Sequence, residues 1–193
     1  MKLLSKKLAA AAACALAAST ASADFLDSHI EYHNDVIFHS FIIDRPTDLT
    51  AWTDSYGLLG DPQTPRNFDP IVSLWHQGML VTFNDDDPTI RPGEQGVYDA
   101  GFRAYNLMPG TYLFTIAAYD NFAMGTSLGS GFLRDGETPI PLAEWTEPAG
   151  VLSPGSFVRL NWDMCPAVPE PSTWAMMAAG LAVAGVAARR RRG

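Results

Sequence analysis

The chain reads as an all-β protein, an antiparallel β-sandwich of jelly-roll-like kind set between two sorting segments. Three observations predict it. Apolar and β-branched residues recur in short alternating runs, glycine, proline and aspartate punctuate those runs, and no window sustains the 3.6-residue period of an amphipathic helix.

The first segment is an address. Lys2, Lys6 and Lys7 precede an alanine-rich apolar run over 8–18, and Ala21, Ser22 and Ala23 supply small residues for cleavage. That order is a secretory signal peptide over 1–23, with signal peptidase cutting after Ala23. Cys14 as a lipoprotein acceptor would leave an apolar core of only 8–13.

Next, Ile30 and Tyr32 alternate with His29, Glu31 and His33, the spacing of a strand with one wet face. A metalloprotease pair would need a glutamate directly after the first histidine and a helix to carry both. Surface or edge histidines are therefore expected, not zinc ligands. The run 36–43 is β-branched and aromatic and stops at Asp44, Arg45 and Pro46, a turn signal. Residues 49–55 form the next strand. Runs 70–75 and 79–83 flank His76, Gln77 and Gly78, short enough for a hairpin. Runs 98–107 and 111–119 flank Met108, Pro109 and Gly110 and predict a second hairpin, and 156–162 is the last strand.

These strands make one domain over 24–167, large enough for a core of its own. Residues 24–168 hold six arginines, no lysine and 20 acidic side chains, a formal charge of −14 that the whole-chain value of −8 conceals. Such a surface repels phosphate backbones, which excludes nucleic acid as a partner and suits solubility or cation binding. Once Cys14 leaves with the signal peptide, Cys165 is the single thiol, so no internal disulfide can form.

The tail carries a second address. Val168, Pro169, Glu170 and Pro171 lead into an uncharged run of 17 residues over 172–188, and Arg189, Arg190, Arg191 and Arg192 follow. Roughly 17–25 apolar residues cross a bilayer core, and a basic block holds its end in the cytoplasm, so the run predicts a transmembrane helix. A Pro-Glu-Pro triplet, a short span and a basic stop in that order resemble the PEP-CTERM sorting signal of Gram-negative bacteria. The resemblance implies export, transient anchoring in the inner membrane and cutting by an exosortase near the triplet. It also implies delivery to the cell surface or extracellular matrix, in association with biofilm exopolysaccharide.

The domain carries a resemblance of its own. Asn34-Asp35-Val36, Asp69-Pro70-Ile71-Val72-Ser73-Leu74-Trp75, Asn84-Asp85-Asp86-Asp87, Pro109-Gly110-Thr111-Tyr112 and Tyr119-Asp120-Asn121 are similar, in that order, to the bacterial pre-peptidase C-terminal type of β-sandwich. They resemble more closely the DVUA-type group of exported proteins. Residues 134–155 have no counterpart in that pattern.

For chemistry, the run Asn84-Asp85-Asp86-Asp87 concentrates carboxylates on one loop. Asp99 at the start of the next strand and Asp120 at the end of its neighbour complete a candidate calcium set of Asp85, Asp87, Asp99 and Asp120, since calcium takes six to eight oxygen ligands. The alternative is a solvated turn whose aspartates bond backbone amides. No Gly-x-Ser-x-Gly elbow is present, and no catalytic residue is assigned. The expected protein is non-catalytic; a secreted polysaccharide hydrolase with a carboxylate pair is the alternative. Trp52, Trp75, Trp145 and Trp162 are core residues or, alternatively, a sugar-stacking platform.

Overall fold

The computed structural model describes residues 23–57, 67–146 and 155–167, with Met177, Gly180 and Leu181 from the tail. The signal segment 1–22, the Pro-Glu-Pro triplet and the arginine block lie outside the described residues, as does most of the predicted span. Among the described residues no helix is long and apolar enough to cross a membrane.

Among the described residues eight strands run in chain order as β1 (Ala23–His29), β2 (Val36–Ile43), β3 (Thr47–Thr53), β4 (Pro70–His76), β5 (Met79–Asn84), β6 (Gly101–Leu107), β7 (Gly110–Ala118) and β8 (Phe157–Pro166). They form two four-stranded sheets, ordered β1-β8-β3-β6 and β2-β7-β4-β5, with every pairing antiparallel. Strand β4 pairs with β5, β3 with β6, β2 with β7 and β1 with β8. The chain is thus a long hairpin, closed at β4–β5 and rolled so that successive pairs fall in alternate sheets, which is the jelly-roll order.

That roll corrects the second predicted hairpin. Strands β6 and β7 are consecutive but lie in different sheets, so Met108 and Pro109 carry the chain across the sandwich. A short proline turn serves either purpose, and the pairing of β6 with β3 decides between them. The β4–β5 hairpin forms as expected: Gln77 and Gly78 have φ of 52° and 76°, the pair of positive values that a two-residue turn matching the strand twist requires.

The core lies between the sheets. Val72, Leu74, Tyr112, Phe114, Ile116 and Ala118 face Leu49, Ala51, Phe102, Val158, Leu160 and Trp162. Phe114 stacks on Phe41 at 4.6 Å and lies 5.5 Å from Trp162. Each such side chain contributes about 1.5–3 kcal/mol by leaving water. Of the four tryptophans within 24–167, Trp162 belongs to this core, Trp52 and Trp75 are buried outside it, and Trp145 is half-exposed.

Strand β4 is buried on both faces, Ile71 through Trp75 without a break. The second cover is the connection from β7 to β8, which crosses the outer side of the second sheet as a strap. Leu80 N–H bonds Thr126 O at 2.8 Å, Leu128 N–H bonds Gly78 O at 2.8 Å, and Leu142 N–H bonds Glu31 O at 3.0 Å. The strap's Phe132 packs edge-on against Phe38 at 6.3 Å.

The expected strand at 29–33 is also corrected. Strand β1 ends at His29, a turn closes from Tyr32 to Asp35, whose N–H donates to Tyr32 O at 3.0 Å, and His33 is only 1% exposed. Instead of facing water on a wet edge, His33 is enclosed by the strap. Ile140 N–H donates to its Nδ1 at 3.1 Å, and its Nε2 lies 3.1 Å from Glu137 Oε2. An Nδ1 that accepts from a backbone amide places the proton on Nε2. With both nitrogens engaged and Trp145 stacked on the ring at 4.3 Å, this histidine locks strap to sandwich.

Candidate functional site: an acidic end of the sandwich

Antiparallel pairing brings separated carboxylates to one end of the second sheet. Asp69 precedes β4, Asp85 and Asp86 follow β5, and Asp120 follows β7. Because β4 runs antiparallel to both neighbours, its beginning lies beside their ends. Tyr119 N–H donates to Asp69 O at 2.9 Å, tying β7 to this corner. Carboxylate oxygens of Asp69, Asp85 and Asp86 all come within 4.8 Å of one another.

Burial is graded across the trio. Asp69 is 3% exposed, Asp85 is half-buried and Asp86 is exposed. Two full charges at that spacing repel by about 3 kcal/mol at an effective dielectric near 20. Hydrogen-bond donors, water, a proton or a cation can each relieve that repulsion. Burial first, and then the charge of Asp99, raises the Asp86 carboxyl above the ordinary carboxylate range. The Tyr119 phenol is raised as well, by burial and then by Asp85, Asp120, Asp69 and Asp86. The negative field therefore extends over the whole corner.

Of the four residues expected to ligate calcium, the structure brings only Asp85 into this group. Asp99 does come close through its backbone, since the loop folds back and Asp87 N–H donates to Asp99 O at 3.1 Å. Its side chain points the other way. Oδ1 accepts from Thr53 Oγ1 at 2.7 Å, Ser55 N at 3.1 Å and Tyr56 N at 3.2 Å, and Oδ2 accepts from Gly96 N at 2.7 Å. Burial outweighs those donors and raises its carboxyl. Asp87 caps its own turn, accepting from Thr89 N at 3.0 Å. Asp120 accepts from Arg134 Nε at 3.0 Å, and Arg134 also reaches Glu137.

The residues that sequence reasoning missed are Asp69 and Asp86 as partners of Asp85. The signal was present in the predicted β4–β5 hairpin, because the residue before the first strand of a hairpin lies beside the residues after the second. Gly101 keeps the loop close. A Cβ there would meet Ile90 Cγ1 at 2.7 Å and Asp87 O at 3.2 Å, so only glycine admits this approach.

The trio offers oxygen donors alone. Each carboxylate brings one oxygen to a common point, a donor set that suits a hard cation and leaves soft metals without a nitrogen or sulfur ligand. The two histidines weighed for zinc do not converge: His29 is exposed and bonds Ser156 Oγ at 3.2 Å, while both nitrogens of His33 are committed.

Residues 167–192 match the PEP-CTERM protein-sorting motif, and no match to the chain was found among curated proteins. The matched residues are the tail and not the sandwich, so the resemblance to the pre-peptidase C-terminal type gains no support from them. The motif implies an exported bacterial protein whose precursor transits a membrane and is processed by an exosortase.

Proposed function

We propose that this chain is an exported, non-catalytic protein of the cell surface or extracellular matrix, associated with exopolysaccharide, whose sandwich binds calcium at its acidic end through Asp69, Asp85 and Asp86. The observation that carries the destination is the sorting motif over 167–192. The calcium reading is supported by the convergence of the three carboxylates within 4.8 Å, which an exported protein would meet in a calcium-containing medium. After signal-peptide removal the mature chain begins at Asp24, the second residue of β1, paired with Trp162.

Two measurements test it. In a strain lacking its exosortase the uncut chain accumulates in the membrane fraction, and in the parent strain it reaches the surface without the tail; equal distribution in both strains would count against the destination. Calcium stabilises the full chain by about 2.7 kcal/mol at 100 times its Kd, a rise in melting temperature of about 5–10 °C. No shift between calcium and chelator would remove the cation from the account.

A further inference from the structure

Four strands end the two sheets, and three of them are protected. Strand β1 carries Asp24 and Asp27. Strand β6 carries Arg103 and a residue of positive φ, Asn106. Strand β5 is partly bridged by the strap through Leu80 and Leu128. Charges, irregular backbone and covering segments are the devices that keep an edge from pairing with another chain.

Strand β2 has no charge and no irregular residue, and the strap reaches its outer face at Phe38, which meets Phe132, without bonding its free backbone edge. Its eight residues, VIFHSFII, contain no Lys, Arg, Asp, Glu, Gly or Pro. It pairs with β7 on one side, and among the described residues no backbone hydrogen bond reaches its other side. Phe38 and Ile42 on its outer face are 56% and 72% exposed.

We propose that the free edge of β2 pairs with the β2 edge of a second copy of this chain, antiparallel about a twofold axis at Ser40, joining the second sheets of two molecules. The sequence is self-complementary in that register. Phe38 falls opposite Ile42 on the outer face, and Ile37 opposite Ile43 and His39 opposite Phe41 on the inner face. Aromatic and β-branched residues placed directly opposite are favourable cross-strand pairs. Beyond the strand ends Asp35 falls opposite Arg45, twice by symmetry. Asp35 is already held in place, accepting from Tyr32 N at 2.8 Å, and Arg45, whose Nε donates to its neighbour Asp44 at 3.3 Å, keeps 61% of its side chain accessible for a second carboxylate. Two strongly acidic domains repel one another, so an uncharged strand flanked by opposite charges is the part of the surface suited to self-contact. A shift by one residue would lose both ion pairs and turn the apolar row to the wrong face. The proposal is independent of calcium.

Disulfide trapping reads the register directly. In the full chain with Cys14→Ser and Cys165→Ser, Ser40→Cys places two thiols directly opposite, where antiparallel Cα atoms lie about 4.5–5.5 Å apart, within disulfide reach. Mild oxidation then links Ser40→Cys to itself. Ile42→Cys alone does not link, because its copy lies four residues along, about 13 Å away; mixed with Phe38→Cys it does. Ser40→Lys sets like charges on the axis and gives a monomer in sedimentation, while its unchanged far-UV circular dichroism spectrum shows the fold intact. Ile42→Cys linking to itself as readily as Ser40→Cys, or a wild-type chain that sediments as a monomer at millimolar concentration, would overturn the proposal.

Discussion

Two groups of carboxylates sit within one end of the sandwich and have opposite chemistry. Asp99 lies fully inside and receives four donors from Thr53, Ser55, Tyr56 and Gly96. Asp69, Asp85 and Asp86 face one another across less than 4.8 Å. The first is a structural acceptor, and the second is a place where negative charge accumulates. Asp99 is tied by donors from the loops around it, whereas the three carboxylates of the second group are brought together by the antiparallel pairing of β4 with β5.

The largest expected effect falls on the structural carboxylate. Asp99→Ala leaves several buried donors without an acceptor, each costing about 1–3 kcal/mol, so a loss of about 3–5 kcal/mol is expected in denaturant unfolding. If Asp99 were instead a calcium ligand, its removal would cost little in chelator and abolish the calcium shift. The Asp120–Arg134 pair comes next. Both side chains are 19% exposed, so Arg134→Ala should cost about 2 kcal/mol, less than the full penalty for a buried ion pair. Hydrogen exchange should show faster loss of protection at Ile140 and Leu142, on the strap that Arg134 helps to hold.

Asp87→Asn has the smallest expected stability effect, about 0.5 kcal/mol, because asparagine still accepts from Thr89. It should leave any calcium response unchanged, although Asp87 is as acidic in sequence as Asp86.

Acid titration sharpens the same contrast. Asp86 and Asp99 have carboxyls raised in the folded state. The folded protein therefore holds protons more tightly than the unfolded one, and the stabilisation is complete below the unfolded value. It is lost as pH rises through the folded values. Calcium competes with the proton on Asp86, so its affinity should increase as pH rises through that window, and Asp86→Asn should flatten the dependence.

Much of the fold was legible. Strands β2, β5, β7 and β8 follow from alternation and turn residues, β4 from a nearly continuous apolar run, and the β4–β5 turn from Gln77 and Gly78. The crossing at Met108 and Pro109 was not legible, because a local turn does not reveal which sheet the next strand enters. The strap was invisible for another reason: Arg134, Glu137 and His33 hold it through polar bonds that have no period. Its shadow was nevertheless in the sequence, since Ile71-Val72-Ser73-Leu74-Trp75 is too continuously apolar for a strand with one wet face. Within the site, the run Asp85-Asp86-Asp87 drew attention to the right loop. The partner that completes the trio, Asp69, comes from the far side of the hairpin, separated from that run by the whole of β4 and β5.

Calcium titration calorimetry on the full chain, run in parallel with Asp85→Asn/Asp86→Asn, Asp87→Asn and Asp120→Asn, tests the acidic end most directly. One ion bound per chain in the wild type, Asp87→Asn and Asp120→Asn, with no binding in Asp85→Asn/Asp86→Asn, is the predicted result. Binding that survives in Asp85→Asn/Asp86→Asn, or that disappears equally in Asp87→Asn and Asp120→Asn, would contradict the assignment of the site to Asp69, Asp85 and Asp86.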